Sequence, residues 1–397
     1  MSHSLISRSP DLLRLQEDGF EIDIVGGNYL AVYNVPYVNA QRQVRFGTLV
    51  SDLSLGGDQT IHPANHVMLF AGEHPCTDAG IRIAGIEHHS SPVVISPALT
   101  TDHGFSAKPR PEGYIDYYEK VTAYAAVLEK YAQLIEPEVT ARTRRVVEST
   151  DEDSPFVYVD NASGRANINA VAAKLKIEHV AIVGLGGTGS YILDQLAKTP
   201  VRQIHLYDAD TFEQHNAFRA PGAASLDDLR RQPKKVDYFA EMYGRMHRGI
   251  KPHAEHIIAA NVHQLTEAQF VFISMDGNAV KSMLIETLER AGIPFIDVGM
   301  GLSETDGALH GILRVTTSTP GKRDHVRGLS RIPLSGGGEE DNIYARNIQV
   351  ADLNALNAIL AVVRYKKFLG FYADLEGEHY SAYTVDGNHL SNEDSVA

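Results

Sequence analysis

From about residue 157 the chain alternates between two kinds of hydrophobic pattern. Short continuous apolar runs ("HVAIVGL", "QIHLYDAD", "EHIIAANV", "QFVFISMD", "PFIDVGMG") predict buried strands. Between them, apolar positions recur at helical spacing in "INAVAAKLK", in the stretch after "GLGGTG", in "KVDYFAEMYGRMH" and in "AVKSMLIETLERAG". Strands alternating with helices predict an α/β unit, a Rossmann-like doubly wound, mainly parallel sheet with helices on both faces. Beyond it, "LHGILRVTTST" reads as one more strand and "SGGGEEDN" (Ser335 to Asn342) as a loop or crossover. The long apolar helix "NIQVADLNALNAILAVVRYKKFLGFY" is expected to pack on the sheet or on a partner subunit.

The first part of the chain reads differently. It mixes short β-like runs ("YLAVYNVPYV", "HVMLFAG", "SPVVISP") with one long helix from about Tyr114 to Leu134. Tyr117, Tyr118, Val121, Tyr124, Ala125 and Leu128 share one face of that helix, a stripe expected to be core. The acidic stretch "ESTDEDSP" (Glu148 to Pro155) reads as a linker. The organisation is therefore a smaller α+β domain over residues 1–148 and an α/β domain over 157–397.

Composition narrows the function class. At 397 residues with 43% hydrophobic and 22% charged residues, the chain is long enough for two domains with sizeable cores. No apolar run approaches the roughly 18–20 residues of a membrane span, and the N-terminus shows no signal-peptide pattern. A net charge of −14 disfavours nucleic acid as a partner. The single cysteine, Cys76, excludes an internal disulfide and a multi-cysteine zinc site, so a reducing cytoplasm is expected.

Candidate chemistry begins at "GLGGTGS". Gly184, Gly186 and Gly189, with Gly187 between them, follow a strand and open a helix, the arrangement that brings backbone N–H groups up to a phosphate. Asp208 ends the next strand about 20 residues on, where a carboxylate binds a ribose hydroxyl in dinucleotide sites. Up to this point NAD and ATP fit equally well. Four residues further along the chain favour ATP: Asn216 and Arg219 in "DADTFEQHNAFR", Lys235 in "QPKKV", and Asp276 in "SMDGNAVK". Cations suit charge building up on phosphate oxygens, and a carboxylate suits Mg²⁺. An NAD(P)-dependent oxidoreductase would leave Arg219, Lys235 and Asp276 without a task.

This ordered set resembles the ThiF/MoeB and ubiquitin-activating adenylating enzymes over about Arg165 to Tyr372. The resemblance implies an ATP-dependent enzyme that adenylates the C-terminal carboxylate of a ubiquitin-like or sulfur-carrier protein. It implies that the glycines line the nucleotide loop, that Asp208 binds ribose, and that Asn216, Arg219 and Lys235 contact phosphates. Asp276 would coordinate magnesium. A homodimer is implied too, in which Arg165 from an N-terminal helix would reach the partner's ATP, and a conjugating-enzyme-like protein is a further expected partner.

Four departures qualify the resemblance. Ala220 stands where the family usually has Gln after N-x-x-R, and Lys281 replaces the distal Arg; both leave a non-catalytic scaffold as an alternative. "KRDHVRGL" stands where a first C-x-x-C pair would lie, so no structural zinc is expected. No cysteine follows Cys76, so the second half has no thioester cysteine. Cys76 itself, near His74, His88 and His89, is a candidate acyl acceptor or metal ligand, and the hydroxyls of Thr316 to Thr319 are candidate oxyester sites. Lys281 reads as a surface residue, and adenylation of a small carboxylate or a tRNA-linked base is the nearest alternative activity.

Overall fold

A computed structural model describes residues 2–26, 28–57, 59–145, 154–158, 160, 162–163, 168–276, 279–334 and 348–395. The chain divides into two compact units, residues 1–152 with 158–169, and residues 153–157 with 170–397. Most of the acidic stretch from Glu148 and the whole "SGGGEEDN" segment lie outside the described residues.

In the first unit the described residues form a six-stranded antiparallel sheet. Its order is Glu21–Val25, Tyr29–Val38, Val44–Asp52, Val67–Ala71, His103–Ser106 and Glu87–His89. The helix Tyr117–Gln133 starts where the Asp116 side chain accepts the Glu119 N–H at 2.8 Å. Its tyrosine face is core: Tyr117, Val121, Tyr124, Ala125 and Leu128 cluster with Leu30, Val32, Phe70 and Phe105 of the sheet. Both buried tyrosine hydroxyls are bonded, Tyr117 Oη accepting the Ser54 N–H and Tyr124 Oη donating to the His66 carbonyl.

The second unit is built on a sheet ordered Ile250–His253, Gln203–Tyr207, His179–Val183, Phe270–Ile273, Phe295–Thr305, Ala308–Ser318, Tyr380–Thr384, His389–Glu393. The first five strands run parallel and the last three extend the sheet antiparallel. Alternate residues of each parallel strand feed opposite cores. Val180 and Ile182 pack beneath the helices Gly187–Leu196, Lys235–Tyr243 and Ala351–Phe368. Ala181 and Val183 pack beneath Ala279–Ala291 and the short turn Val262–Glu267. Burial on both faces is why these strands read as continuous apolar runs.

The helix Ala351–Phe368 lies on the sheet of its own unit, with Ala358, Ala361, Val362 and Tyr365 buried and the Tyr365 ring 4.8 Å from Phe270. Two expectations need correction. "EHIIAANV" is not a strand; Ile257 and Val262 turn inward to the core, and the strand is the preceding Ile250–His253. That strand lies at the sheet edge, where Pro252 is tolerated because a missing N–H removes no ladder bond. The hairpin Tyr380–Thr384 and His389–Glu393 has no counterpart in the expected elements.

Candidate nucleotide site

The glycine loop joins the strand His179–Val183 to the helix Gly187–Leu196. Gly184 has a φ of +91°, and a β-carbon there would fall 2.2 Å from the Ser274 carbonyl oxygen. A β-carbon on Gly189 would fall 1.9 Å from the Gly184 carbonyl. Both positions require glycine, because the loop is pressed against its own helix and against the end of the strand Phe270–Ile273. Gly186 is the N-cap, with open space where its side chain would be. The first turn of the helix presents N–H groups with no intrahelical acceptor.

Asp208 is drawn into this loop. Its Oδ2 accepts the Leu185 N–H at 2.7 Å and its Oδ1 accepts the Asp210 N–H at 2.9 Å. Lys235, at the start of the helix Lys235–Tyr243, is buried with its Nζ 2.6 Å from Asp210 Oδ2 and 3.7 Å from Asp208 Oδ2. The hydrogen bond from Lys235 holds the Asp210 carboxyl below the ordinary carboxylate range. A cation and two carboxylates therefore converge at the C-terminal end of the strand Gln203–Tyr207.

Asn216 lies on the short helix Gln214–Ala217 and Arg219 just beyond it. The Asn216 amide closes that helix, its Oδ1 accepting the Glu213 N–H at 2.9 Å and its Nδ2 lying 3.2 Å from His215 Nε2. Arg219 is half-buried, and its Nε is buried without a hydrogen-bond partner. Burial pushes its pKa down while the Asp276 carboxylate pulls it back up. Asp276 itself is exposed, beyond the end of Phe270–Ile273. Arg165, Gly277 and Asn278 lie outside the described residues.

Asn354, in the helix Ala351–Phe368, belongs to none of the motifs legible in the sequence. Fully buried, it accepts the Thr188 hydroxyl at 3.0 Å and donates to the Arg219 carbonyl at 3.4 Å, so one side chain ties the loop helix to Arg219. Gly187 leaves the room for it, since a β-carbon there would lie 2.0 Å from its Nδ2. Its sequence signal is the pair Asn354 and Asn357 inside an apolar helix, where an unpaired amide is costly. Ala220 is buried among the apolar residues of the same core.

A family model described as "ThiF family" matches residues 161–377, just over half of the 397. The chain belongs to the ThiF family. Residues 10–161 match a second model, described as "Domain of unknown function (DUF6791)". None of the curated proteins matches the sequence. Among solved structures, E. coli MccB with MccA is 21% identical over 57% of this chain, with a TM-score of 0.45. The match spans 66% of that MccB chain, less than two thirds of its length. E. coli MccB with ATP is 20% identical over 59% of this chain and 68% of its own, at a TM-score of 0.45. PaaA is 16% identical over 70% of this chain and 95% of its own, at a TM-score of 0.45.

The other candidates of the ThiF-family chain fall elsewhere. Lys281 is not at the surface: it is buried, 2.5 Å from Asp297 Oδ1, and donates to the Met275 carbonyl at 3.1 Å. Cys76 is buried in the first unit, its Sγ 3.4 Å from the His74 carbonyl, and burial pushes its thiol pKa up. The thiol is not presented to an incoming acyl group, contrary to what an acceptor requires. His88 and His89 contact each other through Nδ1 at 2.9 Å. Among the described residues, no group of three or more His, Cys, Asp or Glu could hold a metal ion. Thr316, Thr317, Ser318 and Thr319 are buried too, which removes them as exposed oxyester sites. Among the described residues, no helix is long and apolar enough to cross a membrane.

Proposed function

We propose that this ThiF-family chain uses ATP to activate the C-terminal carboxylate of a ubiquitin-like or sulfur-carrier-like protein. The observation that carries the reading is Arg219: its backbone carbonyl is tied through Asn354 to the glycine-loop helix, and its half-buried guanidinium lies within electrostatic reach of Asp276. A triphosphate carries more charge than a dinucleotide's pyrophosphate and would give a task both to the Arg219 guanidinium and, through a bound cation, to Asp276.

In this reading the substrate carboxylate oxygen forms a bond to the α-phosphorus. The bond from that phosphorus to the β-phosphate bridging oxygen breaks, giving an acyl-adenylate and pyrophosphate. The loop N–H groups orient the phosphates, and Arg219 and Lys235 offset the charge gathering on their oxygens. Asp208 would meet the ribose by giving up or sharing the bond it accepts from the Leu185 N–H. Asn216 supports the segment that carries Arg219. Magnesium binds with one or two carboxylates plus phosphate oxygens and waters, so the exposed Asp276 fits as its protein ligand without a cluster. Bound there, the ion would neutralise charge on the triphosphate. The first unit would recruit the carrier or a conjugating-enzyme-like partner, and the working form would be a cytoplasmic homodimer to which Arg165 contributes.

Calorimetric titration of the full chain with MgATP and with NADH tests the nucleotide choice. MgATP should bind, and Arg219→Ala should weaken it about 10–100-fold, the worth of hydrogen bonds to a charged group. Tight NADH binding with no response to MgATP would overturn the reading.

A further inference from the structure

A cation near the start of a helix opposes the helix dipole, and a buried one loses its hydration. Lys281 does both, as the third residue of the helix Ala279–Ala291 with 1% of its surface exposed. It is held by Asp297 at 2.5 Å, and the same carboxylate takes Arg314 Nη2 at 2.8 Å through its other oxygen. Asp297 is fully buried, and Gly299 leaves the space for the Arg314 guanidinium. Arg314 donates onward to the Arg331 carbonyl at 2.8 Å, and Arg331 is anchored by Asp394 at 2.9 Å and by the Tyr380 ring. A buried ion pair gives little net stability over an apolar isostere of the same volume, so the value of this arrangement lies in the geometry it fixes. The second contact of Lys281 says which geometry that is: its Nζ donates to the carbonyl of Met275, the residue before Asp276.

We propose that Lys281 is a positioning residue for Asp276, and that the network Lys281–Asp297–Arg314 fixes the end of the strand Phe270–Ile273 so that the Asp276 carboxylate can meet a nucleotide-bound divalent cation. The inference rests on the reading of Asp276 as the magnesium carboxylate. Lys281 touches neither nucleotide nor metal. It acts through the backbone of Met275, and the hairpin Tyr380–Thr384 and His389–Glu393 braces the far end of the network.

The test is a Mg²⁺ titration of ATP binding to the full chain, read by calorimetry rather than turnover. Lys281→Met leaves Asp297 paired with Arg314, one anion to one cation, so the informative variant is this single one, which removes the Met275 contact without orphaning a buried charge. That variant should bind ATP without Mg²⁺ within twofold of the parent yet need about tenfold more Mg²⁺ for half-saturation. Lys281→Arg, which keeps a cationic donor, should recover most of the parental response. If that variant fails to fold, Lys281→Arg against Lys281→Gln makes the same comparison. A folded uncharged variant with parental Mg²⁺ dependence would overturn the role of Lys281 while leaving the adenylation reading intact. Asp276→Ala with parental Mg²⁺ dependence would overturn the role of Asp276 and this inference with it.

Discussion

Asp208 Oδ2 accepts the Leu185 N–H at 2.7 Å, so the acid that ends one parallel strand fixes the glycine loop at the end of its neighbour. This bond separates two roles for Asp208. Asp208→Asn keeps an acceptor oxygen for Leu185 and should keep the fold while weakening MgATP several-fold. Asp208→Ala removes both roles. It should also lower stability by about 1–2 kcal/mol, measured by thermal melting, through the unsatisfied loop N–H. Equal melting temperatures for both variants would contradict the bracing role.

Asn354 couples the two halves of the candidate site. Replacing it with Leu leaves the Thr188 hydroxyl and the Arg219 carbonyl without their partner, at about 1–3 kcal/mol for the buried groups. Because the same substitution loosens Arg219, nucleotide affinity should fall along with the melting temperature. A variant that melts lower but binds MgATP with parental affinity would show that Asn354 serves the core alone.

The contrast between Asp208 and Asn354 shows what the sequence made legible. Gly184, Gly189, Asp208 and Lys235 could be placed together because local rules fix them: a turn after a strand, then the strand end and helix start that must flank it. Asn354 and Lys281 could not. Asn354 lies 166 positions from Thr188, and a buried amide declares its partner only once the helix is docked. Lys281 looked solvated because lysine usually is, and its partner Asp297 sits inside an apolar strand run. Among the strands, Ile250–His253 is hidden in the sequence because "IKPH" carries a cation and a proline that only an edge admits. The C-terminal hairpin is half-buried on its first strand and mostly exposed on its second, so it lacks the apolar run that announced the others.

Cys76 provides a clean separation of structure from chemistry. With its Sγ buried and its thiol pKa raised, Cys76→Ala should cost about 1–2 kcal/mol in stability and leave any covalent carrier adduct in place by intact-mass spectrometry. Loss of a hydroxylamine-sensitive adduct in that variant would make Cys76 the acceptor after all.

Lys120 sets a pH dependence in the first unit. Its side chain is fully buried against Ser51 Oγ at 2.9 Å, and burial brings its pKa down from 10.5 to about 8, with Asp52 opposing the shift. Between those values the unfolded chain binds more protons than the folded one, so stability should rise as pH climbs from about 8 to about 10.5. Below pH 8 the full penalty stands, on the order of 3 kcal/mol. Lys120→Met should therefore raise the melting temperature at pH 7 and flatten that rise. A melting temperature at pH 7 below the parent's would contradict this assignment.

The central claim, activation of a carrier carboxylate by ATP, is tested most directly by exchange of labelled pyrophosphate into ATP. The assay uses the full chain with Mg²⁺ and a panel of ubiquitin-like and sulfur-carrier proteins. Exchange should require one carrier with a free C-terminal carboxylate and should fall at least 100-fold in Arg219→Ala and in Asp276→Ala. No exchange with any carrier would contradict the activation claim, and carrier-dependent exchange that survives both substitutions would contradict the roles of Arg219 and Asp276.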